Sequence, residues 1–183
     1  MRKGLMPVAL AASALLAGCS KEKPVEVRNA SAQQVASAAA SAGMHFTPGR
    51  WESEVKVDRF DMGMAMPPEA KAAMEKAMTR VRNVAACLTK DDAEKPRPEF
   101  FGGGDRACTY DHFTMGGGTI DAKLTCSGEP GGATMTTSMA GTYTATDYAM
   151  KVTSEGNRGG MPIAMAMSLR SHRVGDCTGT EDK

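Results

Sequence analysis

The chain lacks three features that would point directly to common functions. It has no excess of positive charge, because 22 Lys and Arg side chains face 21 Asp and Glu, and this balance excludes a basic field for nucleic acid. It has only three histidines, and neither a His-x-x-x-His nor a Cys-x-x-Cys arrangement occurs, so no zinc site or catalytic cysteine is indicated. Its apolar stretches are also too short to cross a bilayer.

The N-terminal segment has the pattern of an export signal. Two cations, Arg2 and Lys3, precede an apolar run from Leu5 to Ala17, which has the length of a signal-peptide core. The run ends in Leu16-Ala17-Gly18-Cys19, which resembles the lipobox of bacterial lipoproteins. That resemblance implies a signal peptide over 1–18 and a lipid on Cys19. The alternative is an ordinary secretory signal that leaves Cys19 as a free thiol.

The resemblance also implies a cellular location. Ser20 follows the lipid site, where an Asp would resemble an inner-membrane retention signal. We therefore expect an outer-membrane lipoprotein that faces the periplasm, with the inner membrane as the alternative. Two or three acyl chains hold a protein on a membrane effectively permanently, so the membrane itself is one expected partner.

The remaining composition predicts one folded domain between flexible ends. An Ala- and Ser-rich segment with almost no sizeable apolar side chain follows Cys19, and such a segment is typical of a tether. We expect a flexible tether over 19–45, a β domain over 46–177 and a disordered tail over 178–183.

Alternating apolar and polar residues predict strands through most of the domain. About seven strands joined mainly by hairpins indicate a mainly β fold, an antiparallel meander that is strongly curved or closed into a small barrel. One amphipathic helix is expected over 68–80, packed against the sheet, in addition to a helical signal segment. Thr89 is expected to cap a short helix that Pro96 ends. Inward-facing positions are expected at Trp51, Ser53, Val55, Val57, Met135, Thr137, Met139, Gly141, Tyr143, Tyr148, Met150, Val152, Ile163, Met165, Met167 and Leu169.

The four cysteines of the domain predict two disulfides. A three-residue hairpin loop at 116–118 places Cys108 directly opposite Cys126, within the distance that a disulfide needs. The same register places Tyr110 opposite Leu124, Asp111 opposite Lys123, and Thr114 opposite Ile120. Cys87 then remains for Cys177. A two-residue turn at Thr146-Asp147 similarly predicts the pairs Ala145/Tyr148, Tyr143/Met150 and Gly141/Val152.

Several of these motifs together resemble a known bacterial family. They are Pro48-Gly49-Arg50-Trp51-Glu52, the Met- and Pro-rich segment 62–68, Cys87-Leu88-Thr89-Lys90-Asp91-Asp92-Ala93, Cys108-Thr109-Tyr110 and Arg173-Val174-Gly175-Asp176-Cys177. Over about 46–177 the chain is similar to the domain-of-unknown-function family numbered 3617. The resemblance implies a small secreted or lipid-anchored protein without an assigned activity, and no catalytic residue.

No set of side chains predicts catalysis, and no cofactor is expected. His112, on the face expected to carry Tyr110, is a conceivable base, but a neighbour or solvent satisfies most strand histidines; His172 is expected to be exposed. Asp91, Asp92 and Glu94 fit helix capping. The glycine runs at 102–104 and 116–118 lack the context of a phosphate loop.

Methionine is unusually frequent, with 15 residues in the chain. The residues cluster as Met62, Met64 and Met66, and again as Met161, Met165 and Met167. Soft thioether ligands on one strand face could bind copper(I) or silver, whereas core or pocket packing explains the same alternation.

The sequence therefore predicts a non-enzymatic, lipid-anchored envelope protein that binds a small apolar ligand or a partner protein. The alternatives are a structural lipoprotein without a ligand and a methionine-based metal binder.

Overall fold

Eight strands form one antiparallel sheet in the computed structural model, which describes residues 24–42, 46–101, 107–129 and 133–181. The strands are β1 Val25–Ser31, β2 Gly49–Asp61, β3 Val81–Leu88, β4 Ala107–Gly116, β5 Thr119–Glu129, β6 Ala133–Tyr143, β7 Asp147–Arg158 and β8 Met161–Gly175. The helices are α1 Ala32–Ser41, α2 Pro68–Met78, α3 Lys90–Glu94 and a 3-10 helix at Pro98–Phe101.

The sheet order is β1-β4-β5-β6-β7-β8-β2-β3. The predicted antiparallel, mainly β fold is confirmed, and β4 to β8 form a meander. The sheet is not closed into a barrel, because β1 and β3 are its two edges. The predicted number of seven strands is wrong: β1 is the additional strand, and it pairs with β4.

The expected tether is wrong over residues 25–42, where the chain forms β1 and α1. Ser31 Oγ accepts from the Gln34 amide at 3.3 Å, and Gln34 Oε1 accepts from the Ser31 amide at 2.8 Å. This reciprocal capping box starts α1 directly at the end of β1. Val35 and Ala39 are then fully buried, because alanine-rich helices approach a sheet closely and need few large side chains to exclude water.

The main core lies between α1 and the β1-β4-β5 part of the sheet. Tyr110 and Phe113 are each 1% exposed, and their rings meet edge to face at 5.8 Å. The Tyr110 hydroxyl donates to the Phe101 carbonyl at 2.7 Å, which satisfies its buried polar group. Burial raises the pKa of Tyr110 to about 12. The core thus joins strands β4 and β5 to the N-terminal segment.

The predicted β4–β5 register is confirmed from Cys108/Cys126 to Tyr110/Leu124. A bulge between Tyr110 and His112 shifts the remaining pairs by one residue. Lys123 therefore pairs with His112, although its ammonium still lies 3.5 Å from the Asp111 carboxylate.

Beyond the bulge, the predicted pair Thr114/Ile120 is wrong, because Thr114 pairs with Asp121 and Ile120 with Met115. The turn has two residues, Gly117 and Gly118, with φ of +59° and +79°. Such a turn matches the twist of the strands better than the predicted three-residue loop.

The β6–β7 register differs from the prediction by two residues. Tyr143 pairs with Tyr148, and Gly141 with Met150, because the connection comprises residues 144–146. The Thr144 hydroxyl accepts from the Asp147 amide at 3.0 Å and stabilises this longer loop. Since the shift is even, the expected side chains still share one face.

Helix α2 begins at the predicted position but does not pack as predicted. None of its residues is buried, and it lies next to the end of β2, where Lys71 Nζ is 3.6 Å from Asp61 Oδ2. The Thr89 cap is confirmed: its hydroxyl accepts from the Asp92 amide at 3.1 Å and opens α3.

Two disulfides join the predicted partners. The Cα atoms of Cys108 and Cys126 are 4.0 Å apart, and those of Cys87 and Cys177 are 5.5 Å apart. Because β2 lies between β3 and β8, the second bond links β3 across β2 to the chain that follows β8.

The expected disordered tail is wrong as far as residue 181. The Glu181 carboxylate accepts from the Thr178 and Gly179 amides at 2.7 and 2.8 Å and lies 3.5 Å from an Arg50 guanidinium nitrogen. These contacts fold the tail back onto the start of β2.

Candidate functional site

The sheet face that carries the core is apolar across seven strands. Directly paired residues of an antiparallel sheet share one face, so the register defines rows of side chains that run across the strands. The first row consists of Val25, Met115, Ile120, Gly141, Met150, Leu169 and Val55. The second row consists of Val27, Phe113, Ala122, Met139, Val152, Met167 and Val57.

The side chains of these two rows become less buried from the strands under α1 towards β7, β8 and β2. Under α1, Met115 is 3% exposed and Phe113 is 1% exposed. On β7, β8 and β2 the side chains of the same rows are only half-buried. Helix α1 packs against β1, β4 and the 3-10 helix, and α2 contacts β2. The part of the face beyond β6 therefore forms an open apolar patch, made of Val55, Val57, Met150, Val152, Met165, Met167 and Leu169.

An aromatic cluster bounds one end of the open apolar patch. The Phe46 ring lies 5.6 to 6.0 Å from the rings of Trp51, Tyr143 and Tyr148. The Trp51 indole donates to the Thr47 carbonyl at 3.1 Å. Phe46 and Thr47 are thus fixed across this end of the sheet, and the aromatic side chains separate the patch from the loops.

The hydroxyl groups on this face bond to one another. Ser53 and Ser171 lie 2.7 Å apart between β2 and β8, and Thr137 and Ser154 lie 2.9 Å apart between β6 and β7. Ser154 and Ser171 are both buried. Hydroxyls that bond to each other offer a ligand fewer free donors and acceptors than unpaired hydroxyls do. The face is therefore largely apolar between these two pairs.

Gly141 lies in the first row at the border between the core and the patch. A Cβ atom there would be 2.1 Å from the Ala149 carbonyl oxygen and 2.8 Å from Met150 Cγ. The missing side chain lets the Met150 side chain lie against β6. Any larger residue would push the β6 and β7 strands apart.

The structure brings the two methionine clusters close to each other in the fold. Met165 and Met167 belong to the open apolar patch, whereas Met161 begins β8 and is 46% exposed. The segment with Met62, Met64 and Met66 lies beside the start of β8, because a Cβ on Gly63 would be 2.4 Å from Pro162 Cγ. The methionines therefore lie within the patch and at the end of the sheet next to it.

The candidate acid–base residues lie away from the patch. The bulge turns His112 to the face opposite Tyr110, so the expectation that the two share a face is wrong. His112 Nε2 lies 2.6 Å from Asp121 Oδ1, which makes it a strand histidine satisfied by a neighbour. His172 is exposed and pairs with Glu52 and Asp147 on that outer face.

The acidic group of α3 is engaged in local ion pairs. Asp91 lies 3.8 Å from Lys95, Glu94 lies 3.9 Å from Lys90, and Asp92 lies 3.0 Å from Arg97. Within the described residues, no group of three or more His, Cys, Asp or Glu side chains could hold a metal ion.

The outer face carries a polar cleft of about 570 Å³. Polar and charged side chains from β2 and β8 line it, among them Glu52, Glu54, Arg170 and His172. Arg50 at its edge is already paired with Glu52 at 3.3 Å. The two faces of the β2–β8 region therefore differ sharply, one charged and one apolar.

The signal peptide over 1–18 with its helical segment, the lipid on Cys19 and the first glycine run at 102–104 are predictions that lie outside the described residues. Among the residues that the structure describes, no helix is long and apolar enough to cross a membrane.

Residues 46–177 match the family model described as "Protein of unknown function (DUF3617)", and the chain belongs to that family. No curated protein matches the chain. No solved structure matches it either. The matched region includes the open apolar patch and both disulfides but excludes β1 and α1.

Proposed function

We propose that this member of the DUF3617 family is a lipid-anchored protein of the bacterial cell envelope that binds a small apolar ligand on the open apolar patch. It carries its lipid on Cys19 and stands at the periplasmic side of the outer membrane. It binds without catalysing a reaction.

The change in burial along each apolar row is the observation that carries this proposal. Phe113 and Met167 belong to one row, yet Phe113 is enclosed by α1 and its neighbours while Met167 is only half-buried. Contiguous exposed apolar surface on a folded protein marks a site of interaction. Methionine side chains are flexible and polarisable, so they adapt to ligands of varied shape.

The chemistry of the patch favours an aliphatic or sterol-like ligand with few polar groups. Its polar side chains are paired with each other, as between Ser53 and Ser171, so a ligand with many hydrogen-bonding groups would lose its hydration without compensation. No charged side chain of β7, β8 or β2 belongs to either row on this face. The ligand is therefore recognised by apolar area rather than by charge.

Two features support a location in the bacterial cell envelope. The lipobox-like segment ends at Cys19, and the two disulfides use all four other cysteines of the chain. Disulfides persist in an oxidising compartment such as the periplasm. Intact-mass analysis of the protein from its own envelope, with separation of the two membranes, tests this location. An unmodified Cys19 or an inner-membrane location would contradict it.

The absence of catalysis is proposed because the described polar groups do not form a nucleophile, base and orienting group together. His112 has its carboxylate neighbour Asp121, and its partners in the two adjacent strands are Arg28 and Lys123. Neither partner carries a hydroxyl or thiol that His112 could activate.

The binding test uses the full-length lipoprotein in nanodiscs, titrated with a fluorescent C18 polyene fatty acid. Met167→Gln keeps the length of the side chain but removes its apolar character, so we expect affinity to fall about tenfold. Ala166→Gln is the matched control, because Ala166 is the neighbouring residue of β8 on the opposite face. Equal affinity of both variants and the unchanged protein would contradict binding at the patch.

A second pair of variants separates apolar binding from metal binding. Met165→Leu with Met167→Leu removes two thioethers and keeps the apolar volume. We expect fatty acid binding to remain within about twofold, because leucine and methionine bury similar apolar area. Copper(I) binding with micromolar affinity that this double variant loses would instead favour the methionine-based metal site.

A further inference from the structure

The first described strand begins a few residues after the proposed lipid site. Only residues 20–23 separate Cys19 from Pro24, the first described residue. Five Cα steps reach at most about 17 Å, whereas the expected tether over 19–45 would reach roughly 85 Å. Because acyl chains on Cys19 lie in the bilayer, Pro24 must lie within about 17 Å of the headgroup level.

Pro24 lies at one end of the sheet. A Cβ on Gly116 would be 2.7 Å from Pro24 Cα, so Pro24 adjoins the hairpin that joins β4 to β5. The loop between β6 and β7 is at the same end, since the Tyr143 amide donates to the Gly118 carbonyl at 2.9 Å. We call residues 116–119 and 144–146 together the turn end.

The turn end is exposed and uncharged. Its outward residues are Gly117, Thr119, Thr144, Ala145 and Thr146. The nearest carboxylate in the adjacent strand is that of Asp147, which lies within hydrogen-bond distance of the Thr144 and Thr146 hydroxyls, at 3.3 and 2.7 Å.

A surface of hydroxyl and peptide groups suits a headgroup layer. It meets no repulsion from anionic lipids and loses no charge solvation on contact. The charged helix α3 and Asp176 lie at the same end of the sheet but next to β3 and β8, several strands from the β4–β5 hairpin. The opposite end carries helix α2, which follows the end of β2 at Asp61.

We propose that the turn end rests on the phospholipid headgroups and that the strands stand roughly along the membrane normal. Strand β5 has 11 residues, which span about 35 Å, so α2 is held away from the membrane by about that distance. The open apolar patch then faces sideways into the periplasm. This orientation depends on the proposed lipid on Cys19.

The test incorporates the photoreactive residue p-benzoylphenylalanine into the full-length lipoprotein in liposomes of phosphatidylethanolamine and phosphatidylglycerol. Ala145→p-benzoylphenylalanine reports on the turn end. Ala73→p-benzoylphenylalanine is the matched control, because Ala73 is an equally exposed alanine in α2. We expect at least fivefold more lipid cross-linking from position 145. Inserting 20 Gly and Ser residues between Lys23 and Pro24 should reduce that excess to less than twofold.

The outcomes separate the two proposals. Equal cross-linking from positions 145 and 73 in a protein whose intact mass shows the lipid would overturn the orientation and leave the anchor in place. If the excess at position 145 remained after the spacer is inserted, the short link between Cys19 and Pro24 would not be what holds the turn end at the membrane. That result would also overturn the proposal. A mass without lipid would overturn both proposals.

Discussion

At the scale of single residues, Asp111 and Asn29 decide which side chains enter the core. Asp111 is the extra residue of the β4 bulge, and Asn29 lies opposite it in β1 with a φ of +49°. Asparagine adopts this left-handed conformation more readily than most residues. Together they turn Phe113 inward and His112 outward. The alternation of the sequence places Tyr110 correctly, but it does not reveal the bulge.

Glu181 gives a prediction about pH. Hydrogen bonds from the Thr178 backbone, followed by further bonds within the tail, lower its pKa from 4.5 to about 2. The unfolded chain therefore takes up a proton at higher pH than the folded chain does. The stabilising contribution of the carboxylate is complete above about pH 5 and is lost as the pH falls toward about 2.

We expect Glu181→Gln to be less stable than the unchanged protein at pH 6 and equally stable near pH 2. Urea unfolding across this range, together with hydrogen exchange of the Thr178 and Gly179 amides, measures the difference. Asp176→Asn, a change of an exposed carboxylate just before the tail, is the control. A difference that stayed constant from pH 6 to pH 2 would contradict this assignment.

At the scale of elements, the two longer helices show that amino-acid composition alone does not determine whether a helix packs on the sheet. Both α1 and α2 are rich in alanine. Helix α1 was expected to be a marginal part of a tether, yet it covers the core; α2 was expected to pack on the sheet, yet none of its residues is buried. The reason is that β1 carries α1 directly onto β4, whereas α2 follows a loop beyond the end of the sheet.

Matched alanine substitutions in the two helices test this difference. Val35 is fully buried and Met74 is not buried. We expect Val35→Ala to lower the free energy of unfolding by about 2 kcal/mol and Met74→Ala to change it by less than about 0.5 kcal/mol. Trp51 fluorescence in urea measures both. Similar losses from the two variants would mean that α2 packs more closely than the structure shows.

At the scale of the whole molecule, the disulfide between Cys87 and Cys177 is the longest covalent link in the domain. It closes a sequence separation of 90 residues, against 18 for Cys108 and Cys126. In the chain-entropy account, such links stabilise by about 4.6 and about 3 kcal/mol. The longer link also joins β3 at the sheet edge to the end of the chain.

We expect Cys87→Ser with Cys177→Ser to destabilise the domain by more than Cys108→Ser with Cys126→Ser does, by about 1.5 kcal/mol. Denaturant unfolding of the two double variants compares them directly. Each double variant replaces one disulfide with two serine hydroxyls, so the comparison is matched in chemistry. A larger loss from the shorter link would show that burial of the 108–126 bond, rather than loop closure, dominates.

In the candidate site, local sequence pattern predicts which side chains share a face, and tertiary contacts determine which of them are covered. The period-two alternation of β7 and β8 correctly predicts that Met150, Val152, Met167 and Leu169 share a face. It does not predict that this face stays open, because exposure depends on which distant element covers it. The paired hydroxyls, such as Ser53 with Ser171, were likewise beyond prediction, since they join strands that are 118 residues apart.

Local patterns in the sequence predicted seven of the eight strands, the capped start of α3, the shared face of β6, β7 and β8 and the Cys108–Cys126 disulfide, because each follows from short-range spacing or from the parity of a hairpin. Cys87 and Cys177 followed as the remaining pair. Tertiary contacts determine that residues 25–42 join the sheet and pack on it, that β2 lies beside β8 and that α1 covers one half of the apolar face. These outcomes depend on contacts between residues far apart in the chain. The free energy of these contacts comes from packing between distant elements and from chain geometry, and neither can be predicted from a local sequence pattern.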